Sequence, residues 1–236
     1  MADVYGARPA YPVALVEQLV ALASPPRNEL LDLGAGTGHL ALPLAERGCT
    51  VTALEPAATM LARLQLKAAD RGLAITALHA SAEQIPLATA SQDVVVIADA
   101  LHFMDAERTG LELARVLRPG GVCALVGAEL ADTTYMTSVQ QLMQDAAPRR
   151  PRATAGTLTQ LTRLAGVTLT DEATFEDATQ VDPERLEQIV RSISFIGPAM
   201  SPERFSAFAR DLHALPGPAV WSRRFKLQWG TRRGEK

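Results

Sequence analysis

An open α/β sheet, seven-stranded and mostly parallel with helices on both faces, is the fold class the sequence predicts. Three observations predict it. Apolar runs of strand length alternate with longer segments of helical periodicity, the pattern of parallel strands joined by crossover helices. The first run, Glu29 to Gly34, opens directly into a cluster of glycines. The clearest run, Asp93 to Ala98 (DVVVIA), is nearly all β-branched and bounded by polar turns, as a strand buried on both faces should be.

Taken in order, residues 1–28 read as an N-terminal arm and helix, and Glu29 to Gly34 (ELLDLG) as the first buried strand. A helix over His39 to Arg47 is stopped by Gly48, and Thr50 to Glu55 (TVTALE) is the second strand. Ala57 to Arg71 is a long helix closed by Gly72, and Thr76 to His79 is the third strand. The fourth strand, Asp93 to Ala98, leads to a helix over Asp105 to Leu117, where Asp105 is a natural N-cap. A Pro119-Gly120-Gly121 turn precedes the fifth strand, Val122 to Ala128. Residues 131–155 are polar, carry no clear element and hold the basic stretch Arg149-Arg150-Pro151-Arg152. Thr157 to Ala165 then reads as helix and Val167 to Phe175 as the sixth strand. Two helices opened by a first-turn proline, Glu184 to Ser194 and Glu203 to Leu212, form a small helical insertion before a last strand over Val220 to Thr231.

Composition narrows the function classes. The 236 residues carry a net charge of −3 and are 47% hydrophobic. That is an ordinary globular balance, consistent with one domain over 1–236 whose core is 29–129. The sequence pI near 5.8 argues against a partner read through its phosphate backbone. No run approaches the ~18 consecutive apolar residues of a membrane span, and no signal core follows the N-terminus, so the cytoplasm is the expected address. Cys49 and Cys123, each placed in a core strand, read as small buried hydrophobes. No His/Cys/carboxylate cluster has metal-ligand spacing, so no metal is expected.

The sharpest signal is Asp32-Leu33-Gly34-Ala35-Gly36-Thr37-Gly38, three glycines at alternate positions between a strand and a helix. Such a loop lets the backbone turn tightly and approach a ligand closely. Glu55 ends the second strand, where a carboxylate can accept from both hydroxyls of a ribose. The third glycine falls one residue short of the dinucleotide spacing, which disfavours NAD, and no lysine follows to make a P-loop.

These residues resemble the class I S-adenosylmethionine-dependent methyltransferases, a Rossmann-like family, and within them the group related to ubiquinone-biosynthesis and trans-aconitate methyltransferases. The similarity covers residues 1–129 well and the remainder loosely. It implies that Asp32, Gly34, Ala35, Gly36 and Gly38 form the cofactor loop and that Glu55 holds the ribose. Pro56 and Met60, in the run Leu54-Glu55-Pro56-Ala57-Ala58-Thr59-Met60, match the family's second motif. Ser81-Ala82-Glu83-Gln84-Ile85-Pro86 matches its adenine-binding turn, with Ser81 where aspartate is usual, so that contact is weaker than one to a carboxylate. Ala98 to Asp105 (ADALHFMD) matches the loop after the fourth strand, with Phe103 for the commoner tryptophan, and Leu117 to Gly121 matches a structural turn. Tyr5 and Arg8, in YGARPAYP, match an N-terminal element that closes over the methionine carboxylate; a simple extended arm is the other reading.

By this resemblance the cofactor is S-adenosyl-L-methionine and the activity is methyl transfer to a small-molecule acceptor, with secondary metabolism a fitting place. A protein of the same fold that binds the cofactor for another reaction, or as a non-catalytic partner, is the alternative. No nucleic-acid or membrane partner is expected, and a monomer or homodimer fits equally. Nucleic-acid methylation is disfavoured further by the lack of an Asn/Asp-Pro-Pro-aromatic motif after the fourth strand. His102 is the candidate general base, since imidazoles titrate near ~6.5, and packing beside the cofactor is the equal alternative. Asp99, Glu129 and Tyr135 are weaker candidates; His39 reads as cofactor-proximal, and His79 and His213 lack partners at ligand spacing. The late helices carry apolar stripes that suit core packing or, with Tyr135, Met136 and Phe195, an acceptor pocket. The Arg149-Arg150-Arg152 run suits a solvated loop or attraction of an anionic acceptor.

Overall fold

Leu30, Leu31 and Leu33 are fully buried in β1 (Glu29–Leu33), so this strand must lie mid-sheet with both faces covered. The computed structural model describes residues 5–23, 28–148 and 154–234. Parallel pairing places β2 (Thr50–Leu54) on one side of β1, with Leu30 opposite Val51, and β4 (Gln92–Ala98) on the other, with Leu30 opposite Val94. β3 (Ile75–Leu78) extends the sheet beyond β2, and β5 (Leu117–Leu130) beyond β4. The full order is β3-β2-β1-β4-β5-β7-β6, with β6 over Val167–Gln180 and β7 over Val220–Arg232. β7 runs against both neighbours: Arg232 bonds Leu117 at one end of β5 while Ala131 bonds Ser222 at the other. The sheet is therefore mixed and mostly parallel, as the sequence predicts.

The order reverses direction between β1 and β4, and ligands of open α/β sheets bind outside the carboxyl ends of the strands at such a switch point. Here the chain leaves β1 through the glycine loop and leaves β4 through Asp99.

Contacts divide the chain into two compact units. The larger comprises Tyr11–Gly127, Arg152–Phe175 and Lys226–Lys236. In it α1 (Val13–Leu22) starts after Pro12 and buries Leu15, Val16 and Leu19. α2 (Ala41–Glu46) and α3 (Ala58–Asp70) join the first three strands, and α4 (Ala106–Val116) joins β4 to β5. α6 (Thr154–Leu164) packs on α4 at Gly110, where an added Cβ would stand 2.9 Å from the Leu161 carbonyl. The second unit comprises Met1–Ala10, Ala128–Pro151 and Glu176–Phe225. Its core gathers Met136, Val139 and Met143 of α5 (Thr134–Ala146), Leu186, Ile189 and Val190 of α7 (Pro183–Arg191), and Phe205, Phe208 and Leu212 of α8 (Pro202–His213).

Three local expectations need correction. The Pro119-Gly120-Gly121 segment belongs to β5, its irregularity absorbed by Gly120 at φ +76° and by a register shift between Gln92 and Val94. His39 lies in a turn rather than a helix, because α2 starts only at Ala41. Cys49 is buried one residue ahead of β2 rather than within it, whereas Cys123 sits in β5. In addition, residues 134–146, to which the sequence assigns no element, are helical: Thr133 caps the helix by accepting from Met136 N–H, and the stripe Met136, Val139, Met143 is buried.

Candidate functional site

Gly34 and Ala35 both donate from their backbone N–H to the Leu54 carbonyl, at 2.8 and 3.0 Å, which ties the start of the glycine loop to the end of β2. Gly34, Gly36 and Gly38 stand at φ +83°, +58° and +83°, a region in which only glycine is unstrained. A Cβ on Gly34 would lie 2.7 Å from the Cβ of Ala100, so β1 and the loop after β4 approach here without room for a side chain. Thr37 is buried, and its carbonyl and hydroxyl both accept from Lys67 Nζ on α3 at 3.3 Å. Burial and the nearby Arg71 and Arg63 charges hold the Lys67 ammonium below its ordinary pKa.

Glu55 leaves β2 with its carboxylate already aimed. Oε2 accepts from Gly36 N–H and Oε1 from Ala57 N–H, both at 2.9 Å. Each oxygen keeps a further lone-pair site, which is what two ribose hydroxyls require. Pro56 is exposed and Met60 half-buried beside it at the start of α3. The Pro56 carbonyl accepts from His79 Nε2 at 2.9 Å, so that nitrogen carries the proton and His79 braces the turn. Asp32 is buried with Oδ2 unpartnered; burial, opposed by the Ala41 N–H and reinforced by the Glu55 charge, raises its pKa to about 7. An orphaned carboxylate oxygen two residues ahead of a loop that Gly34 keeps free of a Cβ, together with the Glu55 carboxylate, fits a ligand bearing positive charge and a ribose.

In the loop after β3, Ala82 is buried and Ser81 and Glu83 half-buried. Glu83 Oε1 accepts from Asp105 N–H at 2.9 Å. Burial pushes the Glu83 carboxyl up, but hydrogen bonds from Asp105, its own N–H and Ser81, with the Arg108 charge, outweigh it and leave the pKa low. Beyond Ala98, Asp99 takes φ +53°, an unusual conformation for a residue with a side chain, and its Oδ2 accepts from the Tyr11 hydroxyl at 3.3 Å. His102 lies in a short 3-10 turn (Leu101–Phe103), half-buried, its ring centroid 3.9 Å from that of Phe103, which is 66% exposed. Asp105 caps α4 as expected, accepting from Arg108 N–H at 2.8 Å.

Within the second unit, Arg8 donates from Nε to Ser192 Oγ at 2.7 Å, from Nη2 to the Ser192 carbonyl at 2.9 Å and from Nη1 to the Tyr5 hydroxyl at 3.2 Å. Its guanidinium sits 4.2 Å over the Tyr5 ring. The Arg8 fork is thus committed largely to the end of α7. Tyr135 is half-buried, burial raising its hydroxyl pKa, whereas Met136 is a core residue and Glu129 is exposed. His213 Nε2 lies 3.1 Å from the Pro183 carbonyl. Arg149, Arg150 and Arg152 lie outside the described residues. No group of three or more potential metal ligands occurs among the described residues, and none of their helices is long and apolar enough to cross a membrane. Sequence reasoning missed Lys67 and Tyr11, whose partners lie 30 and 88 positions away.

Fold, strand order and glycine loop are those expected from the resemblance to the class I S-adenosylmethionine-dependent methyltransferases. Residues 31–125 match the family model described as a methyltransferase domain. An uncharacterized methyltransferase of Mycobacterium tuberculosis is 43% identical over 119 residues, 50% of this chain and 46% of that protein. The chain therefore spans about half the length of the curated relatives it matches. Among solved structures, a putative type II methyltransferase from Anaeromyxobacter dehalogenans superposes with a TM-score of 0.70 at 23% identity, covering 97% of this chain and 99% of that one. Geranyl diphosphate methyltransferase in complex with S-adenosylmethionine gives 0.56 at 14% identity, covering 93% and 84%.

Proposed function

We propose that the chain binds S-adenosylmethionine through residues 32–38, 55–60 and 81–83 and catalyses transfer of its methyl group to a small-molecule acceptor. The observation that carries this reading is the Glu55 carboxylate, fixed by Gly36 and Ala57 N–H groups and left with capacity for two more hydrogen bonds. The cofactor supplies a sulfonium-activated methyl group. Asp32 and the loop Gly34, Ala35, Gly36 and Gly38 favour its charged end, Glu55 its ribose, and Pro56, Met60, Ser81, Ala82 and Glu83 its base. Ala98 lines the exit from β4.

Little covalent assistance is then required of the protein, since catalysis is mainly alignment of a nucleophile and exclusion of water. His102 takes the proton when the acceptor bears one, and Asp99 and Tyr11 hold the loop before it. The test is release of S-adenosylhomocysteine on incubating protein and S-adenosylmethionine with a panel of small acids, amines and phenols. Turnover with at least one acceptor, reduced at least tenfold in Glu55→Ala, is the expected result. Tight cofactor binding with no turnover on any class would instead assign the chain a binding role or another reaction.

A further inference from the structure

The loop from Glu83 to Ala90 has neither helix nor strand, yet four of its backbone polar groups are bonded to one turn of α4. Glu112 Oε2 accepts from Ile85 N–H at 2.6 Å. Arg115 donates from Nη2 to the Ile85 carbonyl at 2.7 Å and from Nη1 to the Leu87 carbonyl at 2.6 Å. The two side chains also pair with each other through Nε to Oε1 at 2.8 Å and Nη2 to Oε2 at 2.7 Å. Both N–H and C=O of Ile85 are thereby held by one ion pair, while its side chain is buried in the core. The Ala90 N–H completes the attachment by donating to the Arg115 carbonyl at 2.8 Å.

An ordinary i,i+3 ion pair on a helix surface contributes little. This one differs, because its hydrogen-bonding capacity is directed at the backbone of a neighbouring loop and its carboxylate is held below the usual range, first by Arg115. What it fixes is the segment directly following Ser81, Ala82 and Glu83. We propose that Glu112 and Arg115 are positioning residues that set the Ser81–Glu83 turn so that it distinguishes adenine, with its exocyclic 6-amino group, from a purine lacking it. The inference rests on the reading of that turn as the adenine contact.

The test compares binding of S-adenosylhomocysteine with its 6-deamino purine analogue by titration calorimetry, in the wild type, Arg115→Met, Arg115→Lys and Glu112→Gln. One correctly placed hydrogen bond corresponds to roughly 5- to 10-fold in affinity, so the wild type should prefer the amino compound by about that factor. Arg115→Met should bring the ratio to within about twofold of unity, and Arg115→Lys, which keeps one donor toward the loop, should restore part of it. A loop staple serving stability alone would weaken both ligands equally; an unchanged ratio in Arg115→Met would therefore overturn the proposal. If that variant fails to fold, Glu112→Gln is judged by the same ratio. A wild type that binds both ligands alike also overturns the proposal while leaving the cofactor reading intact; a wild type that binds neither removes the cofactor reading itself.

Discussion

Gly34→Ala tests whether the glycine loop is built by close approach. The residue stands at φ +83°, and the new Cβ would lie 2.7 Å from the Cβ of Ala100. The left-handed conformation costs a residue with a side chain about 1–2 kcal/mol. The collision adds roughly 1–3 kcal/mol as overpacking, because both methyls are fixed to backbone and neither can rotate away. Together these give about 2–5 kcal/mol, which for a chain of this size lowers Tm by roughly 4–20 °C. Ala100→Gly separates the contributions: in the double variant the collision disappears and the backbone cost stays, so the two substitutions should couple by about 1–3 kcal/mol in a double-mutant cycle. Thermal unfolding of the four proteins, followed by calorimetry, reads this directly. A Gly34→Ala protein as stable as the wild type, or a coupling indistinguishable from zero, would refute the reasoning.

Two further outcomes are expected. Asp32 has its folded pKa raised to about 7 by burial, above an unfolded value of ~3.9, so ionising it costs the folded state stability as pH rises from about 4 to 7 and nothing more beyond. Asp32→Asn removes that slope; its Tm relative to the wild type should rise across this window, and a constant difference would show that Asp32 ionises as freely folded as unfolded. Gly110→Ala drives a methyl against the Leu161 carbonyl at 2.9 Å and should cost about 1–3 kcal/mol in denaturant unfolding, whereas an unchanged midpoint would mean α6 shifts freely on α4.

Much of the architecture is legible in the sequence because parallel strands buried on both faces read as continuous apolar runs, and VVVIA of β4 is such a run. Glu55 is legible for a related reason: an acid placed directly after a buried strand must sit at the strand's carboxyl end. The helix over Thr134–Ala146 was obscured because its buried stripe is three residues in a polar segment, although the Thr133 cap spacing marks its start. The Glu112–Arg115 attachment was invisible for a different reason. On α4 the two residues read as a solvated i,i+3 pair, and their loop partners lie 27 to 30 positions away. The left-handed Asp99 is likewise a product of tertiary constraint, since nothing in Ala98-Asp99-Ala100 demands it.

Cofactor recognition by the glycine loop and Glu55 is tested most directly by calorimetric titration of the protein with S-adenosylmethionine, S-adenosylhomocysteine and NAD in parallel. Micromolar binding of the first two, no binding of NAD, and an affinity for both adenosyl ligands at least tenfold weaker in Glu55→Ala are the expected results. Silence from both adenosyl ligands, or an affinity unaltered by Glu55→Ala, would contradict it.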